Sequence, residues 1–66
     1  MNLSEFYGKK VVIESIDKQV FRGIVGDYVE PEDNENNKES IILDAVGHPN
    51  PIEFYESDIK SIYEMK

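Results

Sequence analysis

No cysteine occurs in this chain, and it has only 66 residues. Together these two facts narrow the ways it can hold a fold. A chain this short buries only about 60% of the surface that its unfolded form exposes. Domains of this size lean on a disulfide, a structural metal or a partner subunit. Without cysteine there is no disulfide and no thiolate zinc site, and the single histidine, His48, rules out a multi-histidine metal centre. Association between copies, or an unusually well-packed barrel, is what remains. The length also sets the domain count, and residues 1–66 read as one domain.

Apolar periodicity then divides the chain. Leu3, Phe6 and Tyr7 stand at helical spacing, which predicts a short N-terminal helix over Asn2–Tyr7, capped by Asn2 or Ser4 and stopped at Gly8. Beyond Gly8 the pattern is that of strands. Val11–Ile16 is rich in β-branched residues, and Asp17-Lys18-Gln19 is a polar break suited to a hairpin turn. Val20–Val29 forms the second strand. Gly23 and Gly26 interrupt it, as in a strand curved enough to serve two sides of a small barrel. Glu30–Glu39 is charged and has no apolar residue beyond Pro31, so it reads as a mobile loop dispensable for folding. Ser40–Val46 is the third strand, and Gly47-His48-Pro49-Asn50-Pro51 is turn chemistry throughout. Ile52–Tyr55 makes the fourth strand, Glu56-Ser57-Asp58 a tight turn, and Ile59–Met65 the fifth strand. The expected class is mostly β: a short N-terminal helix, then a strongly bent five-stranded antiparallel sheet with its strands in meander order. No helix is long enough for a parallel crossover.

Two blocks resemble a known family. Gly8-Lys9-Lys10-Val11-Val12-Ile13-Glu14, a turn, and Val20-Phe21-Arg22-Gly23-Ile24-Val25 are similar to the first motif of the Sm-like (LSm) domains. Tyr28 falls where that family has an aromatic residue, Ile41-Ile42-Leu43 resembles its third strand, and Phe54 through Ile62 resembles its second motif. The resemblance covers nearly the whole chain. It implies an Sm-like or SH3-like small β-barrel whose copies form rings, the fourth strand of one pairing with the fifth strand of the next. Ile52, Phe54, Tyr55, Ile59, Ile62 and Tyr63 are the interface residues it implies. Many members, including the bacterial Sm-like RNA chaperone, bind single-stranded RNA, and Lys9, Lys10 and Tyr55 are the matching candidates here. The base-reading and cationic positions differ, however. Glu39-Ser40 stand in place of Met-Asn. Tyr55-Glu56 stand in place of the Arg-Gly of archaeal and eukaryotic members. Tyr55-Glu56-Ser57-Asp58 stand in place of the bacterial Tyr-Lys-His-Ala.

Charge points the same way. Residues 1–22 carry four cations against three acids, and residues 23–66 carry three against eleven, within a formal net charge of −7. Affinity for nucleic acid comes largely from Lys and Arg neutralising phosphates, so RNA is expected only as a weak partner, through the cations around Lys9 and Lys10. Catalysis is not expected: His48 lies in a turn with no nucleophile and orienting acid beside it in sequence. Asp33-Asn34-Glu35-Asn36-Asn37 lacks the glycine and terminal glutamate that a calcium loop requires. No metal or cofactor is expected. There is no apolar run of the ~20 residues that span a membrane and no secretory leader pattern. The expectation is a cytoplasmic, non-catalytic domain that associates with itself. An SH3-like adaptor binding an unidentified protein partner, without RNA, is the alternative.

Overall fold

A computed structural model describes residues 2–66. The chain is mostly β, with one five-stranded antiparallel sheet: β1 (Lys10–Ser15), β2 (Val20–Val29), β3 (Ser40–Ala45), β4 (Ile52–Tyr55) and β5 (Ile59–Glu64). These strands begin and end within about a residue of the runs that periodicity marks. The N-terminal segment differs from expectation. Leu3–Phe6 is a single 3-10 turn, closed by i→i+3 bonds from Tyr7 N–H to Ser4 O (3.3 Å) and from Glu5 N–H to Asn2 O (3.4 Å). Gly8 follows at φ +77°, the left-handed conformation that ends a helical turn. No helix among the described residues is long and apolar enough to cross a membrane.

Strand order corrects the meander. The sheet runs β4-β3-β2-β1-β5, so β5 lies against β1 rather than beside β4. Consecutive strands β4 and β5 therefore form the two opposite edges. Only Glu56–Asp58, one 3-10 turn, joins them. In a flat sheet four inter-strand spacings would hold the edges ~19 Å apart. From Tyr55 to Ile59 the chain reaches at most ~14 Å extended, and roughly 8 Å when wound as a 3-10 turn. The sheet must therefore roll. The molecule measures 29 × 24 × 23 Å, nearly equal in all directions, as a rolled sheet is and a flat one is not. The roll stops short of closure, because β4 and β5 do not pair with each other.

Two bulges help the bend. Gly26 is the extra residue between Val25↔Leu43 and Asp27↔Ile42, and Lys60 is the extra residue between Ser61↔Glu14 and Ile59↔Ser15. An extra residue kinks its strand and sharpens the twist. Inside the roll lie Val11, Ile13, Val25, Ile41, Leu43, Ala45, Phe54 and Ile59, with Leu3 as a fully buried plug from the 3-10 turn. Burying a leucine this completely contributes about 2 kcal/mol.

Gly23 serves a purpose that the sequence pattern misassigned. The bend falls at Gly26, whereas Gly23 is where β2 meets the β3 backbone closely. A Cβ at Gly23 would lie 2.0 Å from the Asp44 carbonyl oxygen, and one at Gly26 would lie 3.2 Å from an Asp44 carboxylate oxygen, which can swing away. Gly23→Ala is thus expected to destabilise by about 3 kcal/mol or more, and Gly26→Ala by roughly 1 kcal/mol or less. Urea melts of both variants check the ranking. Equal losses would show that β3 yields at Asp44.

Candidate functional site: the two sheet edges

The exposed backbone of β4 and β5 is set by register. Glu56 N–H bonds to Glu39 O, so alternation along the β3–β4 ladder makes Ile41↔Phe54 and Leu43↔Ile52 the bonded pairs. Glu53 then turns its N–H and C=O outward. Tyr55 also faces out, but its N–H donates to Asp58 Oδ2 (3.0 Å). Across the sheet, Met65 N–H bonds to Lys10 O, which makes Tyr63↔Val12 and Ser61↔Glu14 the bonded pairs and leaves Ile62 and Glu64 facing outward. Each end of the rolled sheet therefore offers a short row of unpaired backbone groups.

The side chains expected at these edges divide into two sets. Phe54 and Ile59 point into the core at 4% and 6% exposure. Ile52 and Ile62 pack against that core half-buried, and Tyr55 is half-buried. Tyr63 stands exposed on the outer side. What the edges present is mainly backbone, flanked by Tyr55 and Tyr63. Lys9, Lys10 and Tyr55 do not meet within one copy. Lys9 enters β1 and is ion-paired to Glu64 at 3.6 Å, Lys10 lies opposite Ile24, and Tyr55 is on β4, three strands away.

Tyr55 sits among acids. Its phenol is pushed above the ordinary tyrosine value chiefly by the charge of Glu53, then by burial and by a hydrogen bond to Glu53, with Asp58 and Glu35 adding further charge. Beside it a cleft of about 320 Å³ opens between the β1–β2 turn and β4. Phe21 and Phe54 meet there edge to face at 5.1 Å, and Asp17, Glu53 and Asp58 stand around them. The three carboxylates are held locally: Asp17 by Ser15 Oγ, Glu53 by Ser40 Oγ (2.8 Å) and Asp58 by the Tyr55 N–H. Fixed negative charge at the mouth of a cleft repels phosphate. His48 leaves its turn to lie against Phe21, ring centroids 5.5 Å apart. Among the described residues no group of three or more His, Cys, Asp or Glu side chains could hold a metal ion.

One residue of structural weight carries no periodic signal in the sequence. Glu39, placed in the mobile loop, is buried at 7% exposure. Its Oε1 accepts the Leu3 N–H (3.0 Å) and the Tyr28 hydroxyl (3.1 Å). Burial raises the Tyr28 pKa, and the bond to Glu39 raises it further. The loop is also knitted internally. Pro31–Asp33 forms a 3-10 turn, and Asn34 Nδ2 donates to Lys38 O (2.7 Å) and Ser40 Oγ (3.1 Å). An acid immediately before an apolar strand was the only available signal, and it is a weak one.

Comparison with family models, curated proteins and solved structures finds no match for the chain.

Removing the Glu39 carboxylate leaves a buried amide and a hydroxyl without an acceptor, a loss of about 1–3 kcal/mol. Glu39→Ala should lower the melting temperature by roughly 4–8 °C per kcal/mol in a domain of this size. Glu39→Gln, which keeps an acceptor oxygen, should lose less. Replacing only the preceding residues 30–38 by a short turn should be milder than Glu39→Ala. The opposite order would show that the loop, not its last residue, carries the stability.

Proposed function

We propose that the chain is an Sm-like, non-catalytic binding domain of small-barrel type that assembles with copies of itself, β4 of one pairing with β5 of the next. The observation that carries this reading is the placement of β4 and β5 at opposite edges of one rolled sheet. Each lacks a partner on its outer side, and natural sheets cover or pair such edges. Joining unlike edges is a head-to-tail contact, which closes into a ring when the rotation per step allows. Charge favours the same register: Glu53 and Asp58 flank the β4 edge, and Lys60 stands at the β5 edge, in a 3.8 Å ion pair with Glu14 that is largely exposed. Such a seam would also bring Tyr55 of one copy near the strand pair β5–β1 of its neighbour, and so toward Lys9 and Lys10, which Tyr55 cannot approach within its own copy. The acid around Tyr55 supports the second reading, an SH3-like adaptor whose cleft takes a cationic or apolar side chain of a protein partner and no RNA.

Copies carrying −7 each repel one another, and the Debye length falls from about 30 Å at 0.01 M to about 8 Å at 0.15 M salt. Light scattering at these two salt concentrations should therefore show heavier species in the higher salt. Glu53→Pro removes the one uncapped outward N–H on β4 from an exposed position, and should reduce assembly while leaving the fold intact by circular dichroism. A monomer at high micromolar concentration in both salts favours the adaptor.

RNA affinity should follow the opposite salt trend, since phosphate contacts release counterions. Short U-rich and A-rich RNAs are expected to bind weakly at low salt and not measurably near physiological salt. Submicromolar binding at physiological salt would reject that expectation and place a cationic surface in the assembled form.

A further inference from the structure

We propose that the outer face of strands β5, β1, β2 and β3 is a second contact surface, on which another copy of this chain seats face to face. Alternation along the strands puts Lys10, Val12 and Glu14 of β1 on the side away from the core. The register extends this into rows. Tyr63, Val12, Arg22 and Val46 follow one another across the four strands, and so do Met65, Lys10, Ile24 and Asp44. Val20 lies in the next row, opposite Glu14. Of the seven large apolar residues exposed among the described residues, five belong to this one face: Val20 at 56%, Ile24 at 47%, Val46 at 79%, Tyr63 at 59% and Met65 at 38%. Single exposed apolar side chains are ordinary, but a contiguous group marks a contact surface. The inner face of the sheet is already filled by the core.

Charge identifies the occupant. The acids of residues 30–39 and 56–58 lie off these rows. On the face, Lys10, Arg22 and Lys60 stand with Glu14, Asp44 and Asp27, the last opposite Ile42 in the row beyond Asp44. Glu53 continues that row on β4. The four-strand face is thus close to neutral in a strongly acidic molecule. Among the described residues Arg22, Lys10 and Asp44 make no ion pair, the pairs being Lys9–Glu64 and Lys60–Glu14. A second copy approaching loop to loop, or β4 to β4, sets acid against acid. Here it meets apolar side chains and charges of both signs, and a two-fold arrangement lets unpaired cations of one copy face unpaired acids of the other. Such self-complementarity is what a two-fold contact requires. A polyanion gains less, because the face has almost no excess positive charge.

The size of the patch sets the strength. Four strands and three rows outline roughly 20 by 20 Å, short of the ~800 Å² that each partner buries in a standard interface. Pairing should therefore be weak and concentration-dependent.

The edge contact and the face contact predict different masses, so each can fail without the other. Val46→Glu adds an acid at the most exposed point of the face, where folding has little stake. Glu53→Pro removes the edge donor. If the edges join n copies, analytical ultracentrifugation at about 0.5 mM, where weak contacts are populated, should give 2n copies for the native chain and n for Val46→Glu. Glu53→Pro should give two copies, and the double variant one. A Glu53→Pro protein that stays monomeric overturns the face contact and leaves the edge reading standing. A native dimer that Val46→Glu splits and Glu53→Pro does not overturns the edge reading and keeps the face. Short RNA retained by Glu53→Pro monomers and lost on adding Val46→Glu would assign the face to nucleic acid instead.

Discussion

Three residues, Glu56–Asp58, carry the chain from one edge of a five-stranded sheet to the other. So short a link cannot span a flat sheet, and the other features answer to that limit. The bulges at Gly26 and Lys60 supply curvature where the strands must turn. Gly23 lets β2 and β3 approach more closely than any side chain permits. The link is itself held in shape. Asp58 takes the Tyr55 N–H, which keeps that group from starting a hairpin between β4 and β5. The same link leaves the outer side of each edge strand unpaired. One local turn thus produces both the rolled core and the two open edges from which a function is proposed.

The open end of the roll needs a plug, and Leu3 provides it. A single 3-10 turn has little stability of its own, since one turn fixes several dihedrals for few bonds. It is held by complete burial of Leu3, by Phe6 packed against the core, by the bond from the Leu3 N–H to Glu39 and by the Gly8 N–H bond to Val25 O. Glu39 also accepts from Tyr28, near the far end of β2. One carboxylate therefore ties the N-terminal segment, β2 and the entry to β3 together, across 36 residues of sequence in the case of Leu3. A buried carboxylate is costly unless its acceptors are used, and here two donors meet it. The end of the acidic loop is for this reason structural, whereas its middle is surface.

Strands could be read from the sequence because each carries its own signal. Val20–Val29 and Ile52–Tyr55 fall where their apolar alternation begins and ends. Pairing order could not be read in this way. The residues of β5 would alternate identically beside β4 or beside β1, and a three-residue polar turn ordinarily marks a hairpin. The capping of Tyr55 by Asp58 and the ladder of β5 on β1 set the observed order, and both depend on tertiary geometry. The N-terminal turn was misjudged because i, i+3 spacing serves a 3-10 turn as well as an α-helix. Glu39 was missed because a charged residue among charged residues gives no periodic signal. Of the candidate site, the extents of β4 and β5 were legible, but not their place at opposite edges. The separation of Lys9 and Lys10 from Tyr55, and the apolar outer face, were not, because both follow from which strands are neighbours.

The distribution of charge links the fold to its contacts. Eleven of the fourteen acids fall after Arg22, and many of these cluster in the loop before β3 and around the β4 end. Acids at a strand edge ordinarily discourage unwanted pairing. Here Glu53 and Asp58 guard β4 while the opposite edge, β5, carries Lys60. An edge protected by acid rejects a copy of itself and accepts an edge bearing a cation. β4 against β4 sets acid only against acid, whereas β5 carries Lys60 as well as Glu64. In the proposed assembly the chain's acidity would act as a filter on orientation as well as a general repulsion, allowing the head-to-tail seam and the near-neutral face while disfavouring acid-to-acid approaches.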